Sequence, residues 1–215
     1  SNTHGACASR PGIAHPAILG RWFDMPVINI GFSGNGKMHE EVGDLMIEMD
    51  AAAYIIDCLP NMNAGMVTER CVPLVKQLRK ARTDTPIVLV EDRRFPNSWL
   101  VPTKSKFHDD NHAALRKAYK ELQASGVKHL YYVEGDPLLG DDFEGTTDAS
   151  HPNDLGFLRQ AEAQLAEIIN GPSSLFVPVL DTNVLVNLED ARCTAGLLDA
   201  RELRECFGHC DEHIF

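Results

Sequence analysis

Residues 69–93 read ERCVPLVKQLRKARTDTPIVLVEDR, and this stretch carries the alternation that decides the fold. Residues 69–82 read as a helix, with the basic run KQLRKAR (76–82) as its solvated end. Residues 85–93, TPIVLVEDR, are a short apolar run that ends in charge, which reads as a strand emerging into a polar loop. The alternation continues on both sides. Upstream, MPVINIGFSG (25–34) reads as a strand ending in glycine, and AAYIIDCLPN (52–61) as a strand running into a turn. Between them, HEEVGDLMIEMDA (39–51) has Val42, Leu45, Met46 and Met49 at helical spacing. Downstream, NHAALRKAYKELQASG (111–126) reads as a helix with Leu115, Ala118, Tyr119 and Leu122 on one face and Gly126 at its C-cap. KHLYYVEG (128–135) is a further strand, and NDLGFLRQAEAQLAEIIN (153–170) a helix with Leu155, Leu158, Ala161, Leu165 and Ile168 facing inward. This order predicts an α/β fold, a three-layer α/β/α sandwich around a mostly parallel sheet. Ligands of such sheets bind beyond the carboxyl ends of the strands. The polar stretches SGNG (33–36), LPNM (59–62), EDRRFPN (91–97) and DASHPN (148–153) all fall at or after strand ends, so they converge on one rim.

Bulk properties narrow the function classes. The 215 residues, 44% hydrophobic, suit one medium domain with a real core. A formal charge of −11 argues against a nucleic-acid partner, because no basic face offers counterion release. No apolar run approaches the roughly 20 residues that span a membrane, and no signal-peptide pattern is present. A soluble protein is expected, with the bacterial cytoplasm and secretion both open. The six cysteines are too scattered for a disulfide framework, and Cys58 and Cys71 read as buried thiols.

Chemistry concentrates in EGTTDASHPNDLGF (144–157), where Asp148 and His151 stand three residues apart on a tight turn. An imidazole changes protonation near neutrality and serves as a base. A carboxylate beside it fixes the tautomer and leaves the other ring nitrogen for a substrate hydroxyl. A surface Asp followed by a helix-entry His is the alternative. Gly34, in GFSGNG (31–36), offers a backbone N–H with close ligand approach, or simply a tight turn. Asn61, after Pro60 at a strand end, offers an amide donor to a developing oxyanion, or an Asx turn.

Taken in order, SNTHGACASRPG (1–12), NIGFSGNG (29–36), IDCLPNM (56–62) and TTDASHPND (146–154) resemble the four sequence blocks of the SGNH hydrolases, the GDSL-type esterases. The loops VEDRRFPNSWLVP (90–102) and EGDPLLGDDFEGT (134–146) resemble the branch found among bacterial acylhydrolases and carbohydrate esterases. The resemblance spans residues 1 to about 170. It implies a flavodoxin-like fold and a serine esterase acting on a small acyl ester or acylated carbohydrate, without cofactor or metal. By the matching positions, Ser1 is the nucleophile, His151 the base, Asp148 its orienting acid, and Gly34 and Asn61 the oxyanion donors. The alternative is a catalytically impaired scaffold that binds a ligand or glycan.

In that family a first strand leads into the nucleophile. No such strand precedes Ser1 in this sequence, so the sheet is expected to have an open place. SLFVPVLDTNVLVN (174–187) is a candidate to fill it, in its own chain or in a neighbour's as a homo-oligomer. NGPSS (170–174) reads as a linker, which divides the chain into a domain of residues 1–170 and a C-terminal extension of residues 171–215. In that extension Cys206, His209, Cys210 and His213 share one helical face, a zinc-like donor set or a terminal helix with incidental Cys and His. Trp22, Phe23 and Tyr54 are core candidates. Trp99 is a candidate to line a substrate cleft, Arg93 and Arg94 are candidates for contact with an acyl or sugar group or for a loop salt bridge, and His4, Arg10 and Asn97 lie near the expected rim.

Overall fold

The computed structural model describes residues 2–170. Ser1 and residues 171–215, with the candidate strand and the Cys/His face of the extension, lie outside the described residues. The elements are α1 (His15–Phe23), α2 (Glu40–Glu48), β1 (Tyr54–Ile56), α3 (Ala64–Ala81), β2 (Ile87–Val90), α4 (Pro102–Ala124), β3 (Leu130–Val133) and α5 (Asp154–Asn170). The three strands form one parallel sheet in the order β1-β2-β3, with Tyr54 opposite Ile87 and Ile87 opposite Leu130. Parallel neighbours need a crossover, and α3 and α4 supply the two.

Strand periodicity sorts the side chains. Tyr54, Ile56, Ile87, Leu89 and Leu130 point to one face and pack with Val67, Cys71, Leu74, Leu78, Leu115 and Leu122 of α3 and α4. Each such fully buried aliphatic side chain contributes about 1.5–3 kcal/mol. A second cluster joins α1 to α5 through Ile18, Leu19, Phe157 and Ala161, and α5 lies against β3. Helices therefore flank the sheet on both sides, as the alternation predicted. Tyr54 is buried as expected, its hydroxyl donating to the Met46 carbonyl at 3.0 Å. Gly126, at φ +83°, follows the C-terminus of α4.

Three expectations need correction. Residues 25–32 are not a strand: they run outside regular structure. The Gly31 N–H donates to its own neighbour Asn29 Oδ1 at 2.9 Å, and Asn29 Nδ2 donates to the Thr3 carbonyl, so the segment is held by a side-chain turn rather than a ladder. Leu155 (38% exposed) does not face inward; Phe157, Gln160 and Gln164 take the inner face of α5, and in α2, where Leu45 shares the helical spacing, it is Gly43 and Met46 that are buried. Finally, α4 begins at Pro102, well before residue 111; its first buried positions are His108, Asn111 and His112, so no aliphatic periodicity marks that part of the helix.

Candidate active site

The carboxyl ends of all three strands open onto polar loops. β1 leads into Asp57 and a 3-10 turn, Leu59–Asn61. β2 leads into Glu91, Asp92 and Arg93. β3 leads into a 3-10 turn, Asp136–Leu139, and then the loop that ends at α5.

That last loop holds the Asp148–His151 pair in contact. Ala149 turns the chain with φ +61°. Asp148 Oδ1 accepts the N–H groups of Ser150 (3.0 Å) and His151 (2.7 Å), and Oδ2 lies 2.8 Å from His151 Nδ1. The His151 backbone donation, then its ring N–H, hold the Asp148 carboxyl down at about 2. An ionised carboxylate only accepts, so Nδ1 carries the proton it shares, and in the neutral ring the lone pair lies on Nε2. The turn is braced by Thr147 N–H donating to the His151 carbonyl at 3.0 Å and by Asn153 Nδ2 donating to the Glu144 carbonyl at 2.7 Å. Asn153 Oδ1 also accepts from Gly156 N–H at 3.0 Å, which caps α5. The two side chains of the pair remain accessible, at 40% for His151 and 50% for Asp148.

Asn61 ends the 3-10 turn after β1, and its Nδ2 donates to the Gly36 carbonyl at 3.3 Å. One amide hydrogen is thereby oriented, and the second stays available. The glycine loop is thus joined to Asn61 through Gly36, while Gly34 sits in the exposed 3-10 turn Ser33–Asn35 with open space around its Cα.

The residues that follow Ser1 are tied to the same rim. Asn2 is buried, Thr3 Oγ1 donates to the Asp57 carbonyl at 3.4 Å, and Ser9 N–H donates to Asp154 Oδ1 at 2.8 Å. Residues 3–9 therefore run from the end of β1 to the start of α5, three residues beyond His151.

Beneath the rim lies a buried polar floor that the sequence reading missed. Glu91, Asp92 and Arg93, the residues straight after β2, are all buried, as are His108 and His112 of α4. Glu91 is paired with Arg116 Nε at 2.7 Å and accepts from Tyr132 Oη at 2.6 Å and Gly135 N–H at 2.8 Å. Asp92 is bonded at 2.8 Å by both His108 Nδ1 and His112 Nε2. These bonds outweigh burial and hold Asp92 below the usual carboxylate range, while the flanking carboxylates lift His112 against its own desolvation. The signal was present as HDDNH (108–112), two histidines one helical turn apart facing an acidic strand end.

Asp92, His108 and His112 bring three potential metal-ligand atoms within 4.8 Å of one another. The hydrogen bonds argue against ligation. A metal-bound imidazole donates its other N–H to an acceptor, but His108 Nε2 faces the Phe95 backbone N–H, a donor, at 3.1 Å. His108 is therefore the Nδ1–H tautomer, with its proton directed at Asp92. His112 has acceptors on both sides, Asp92 at Nε2 and Glu91 Oε2 at 3.2 Å from Nδ1, which suits an imidazolium.

His15 and Asp57 form a separate buried contact, Nε2 to Oδ2 at 3.4 Å. Burial pushes His15 down to about 3 and Asp57 up to about 6, so this is not an ion pair with a charged imidazole.

The remaining sequence candidates divide. Arg93 turns inward and donates from Nε (3.0 Å) and Nη2 to the Ser150 carbonyl. Arg94 pairs with Asp109 at 3.0 Å and Asp136 at 2.9 Å, a loop salt bridge. Asn97 Oδ1 accepts from Lys104 Nζ at 3.1 Å. Trp99 stands 75% exposed. Trp22 and Phe23 are half-buried against the α1–α5 cluster. Cys58 and Cys71 are free thiols that burial pushes up to about 12. Among the described residues no helix is long and apolar enough to cross a membrane.

No curated protein matches the chain. Among solved structures, a GDSL-like lipase from Bacteroides ovatus is 40% identical, with a TM-score of 0.72 over 75% of this chain and 48% of its own. A salicylyl-acyltransferase from a tetracycline biosynthetic pathway is 20% identical, with a TM-score of 0.65 over 76% of this chain and 50% of its own, a likeness of fold. The chain thus spans about half the length of the structures it matches. The profile of one family covers residues 1–170, from the Ser1 block through the Asp148–His151 turn, so this chain belongs to the GDSL-like lipase/acylhydrolase family.

Proposed function

We propose that this chain is a serine esterase that hydrolyses short-chain acyl esters, acetyl groups on carbohydrate among them. The observation that carries the reading is the Asp148–His151 pair, with Nδ1 committed to the carboxylate at 2.8 Å and the ring still accessible. In this reading His151 Nε2 takes the Ser1 hydroxyl proton as Ser1 Oγ attacks the ester carbonyl. Asn61 Nδ2 and the Gly34 N–H hold the oxyanion. The tetrahedral intermediate collapses as His151 returns the proton to the leaving alcohol. Water, activated by the same Nε2, then releases the carboxylic acid and regenerates Ser1. The tie between Asn61 and Gly36 supports the oxyanion role, because a donor oriented before reaction needs no rearrangement in the transition state.

The test is turnover of p-nitrophenyl acetate by the 215-residue chain and by its Asn61→Ala variant. The variant is expected to lose about 10²–10³-fold in kcat, with KM little changed, since a ground-state carbonyl gains little from the oxyanion donor. Absence of turnover by the unaltered chain on acetyl, propionyl and butyryl esters would remove the esterase reading.

A further inference from the structure

We infer that Arg93 is a positioning residue for the acid–base turn, locking His151 from beneath. Its chemical role rests on the esterase reading, but its geometry does not.

The Ser150–His151 peptide is gripped at both ends. Arg93 Nε and Nη2 both donate to its carbonyl oxygen, and its N–H donates to Asp148 Oδ1 at 2.7 Å. A cation at the oxygen and an anion at the N–H align with the peptide dipole and fix the plane from which the His151 side chain departs. The exposed pair cannot supply this order alone, because solvent reaches both side chains and competes for their hydrogen bond. Arg93 is 3% exposed, and its guanidinium lies 5.4 Å from the centroid of the Phe95 ring. A planar two-pronged donor is pre-organised and loses little freedom per hydrogen bond formed.

Arg93 is itself placed by the polar floor. The residue before it, Asp92, is tied to α4 through His108 and His112. Burial lowers the pKa of Arg93, and the nearby carboxylates of Asp57, Asp92 and Asp148 oppose that shift. A continuous set of contacts thus runs from α4 through the end of β2 to the Ser150 carbonyl. Lysine could keep the charge but not the two parallel donors.

The experiment compares Arg93→Lys and Arg93→Met with the unaltered 215-residue chain. Far-UV circular dichroism and Tm establish folding. The ¹⁵N shifts of the His151 ring report its tautomer, and p-nitrophenyl acetate reports kcat and KM. The unaltered chain is expected to show the Nδ1–H tautomer. Both folded variants are expected to drift toward Nε2–H and to lose about 10²-fold in kcat, the cost of a misplacement near 1 Å, with KM within a few-fold. A purely electrostatic or packing role predicts instead that lysine restores both readouts, and that result overturns the proposal. If the unaltered chain proves inactive, the tautomer alone decides, so failure of the esterase reading and failure of this one stay distinct. If Arg93→Met does not fold, Arg93→Lys decides. If neither folds, the unaltered chain must show a slowly exchanging Arg93 Nε–H in ²H₂O, and rapid exchange overturns the contact.

Discussion

His151→Ala is expected to lower kcat for p-nitrophenyl acetate by about 10⁵–10⁶-fold, the scale seen when a triad base is removed. The reason lies in how the ring is committed. Nδ1 is occupied by Asp148 at 2.8 Å, which leaves Nε2 as the nitrogen that the proposed mechanism assigns to the Ser1 proton. Three other histidines among the described residues are already committed elsewhere. His108 and His112 are buried and bonded to Asp92, and burial holds His15 neutral. The loss should come without unfolding, because the His151 side chain is 40% exposed and its deletion opens no cavity. Steady-state kinetics with a parallel Tm measurement checks both halves. A loss below tenfold with the fold intact would assign the proton transfer to another residue.

Asp148→Asn is expected to cost about 10⁴-fold in kcat, through the tautomer rather than the fold. The amide oxygen of Asn can still accept the Ser150 and His151 N–H groups that shape the turn. The amide nitrogen then faces Nδ1 as a donor. The ring must accept there and carry its proton on Nε2, where a base needs a lone pair. Asp148 keeps its charge down to about pH 2, so the loss should persist across the assay range and not be recovered by raising the pH. Kinetics from pH 5 to about 9 test this. Near-normal rates in the variant at any pH would show that the carboxylate does not orient the base.

Much of this was legible before the structure. β2 and β3 were readable because Ile87–Val90 and Leu130–Val133 are compact runs of apolar and aromatic residues bounded by polar ends. The Asp148–His151 contact was readable because three residues and a turn leave the pair little freedom. The misses share a physical cause. The 25–34 segment has strand-like composition, but a strand is defined by its partner, and Asn29 and Gly31 instead close a local turn. The first turns of α4 hide their inner face, because His108, Asn111 and His112 are buried through hydrogen bonds and carry no apolar periodicity. The sequence leaves Arg93 open between a substrate contact and a loop salt bridge, because its position after β2 fixes the rim but not the direction of a long side chain. Only the placement of Ser150 shows what its donors meet.

The most direct measurement is labelling of the 215-residue chain by a serine-reactive fluorophosphonate, with the adduct mapped by mass spectrometry. The account predicts a single adduct on Ser1 that disappears when His151 is replaced by Ala. An adduct on another serine, or ester turnover that continues with Ser1 unlabelled, would contradict it.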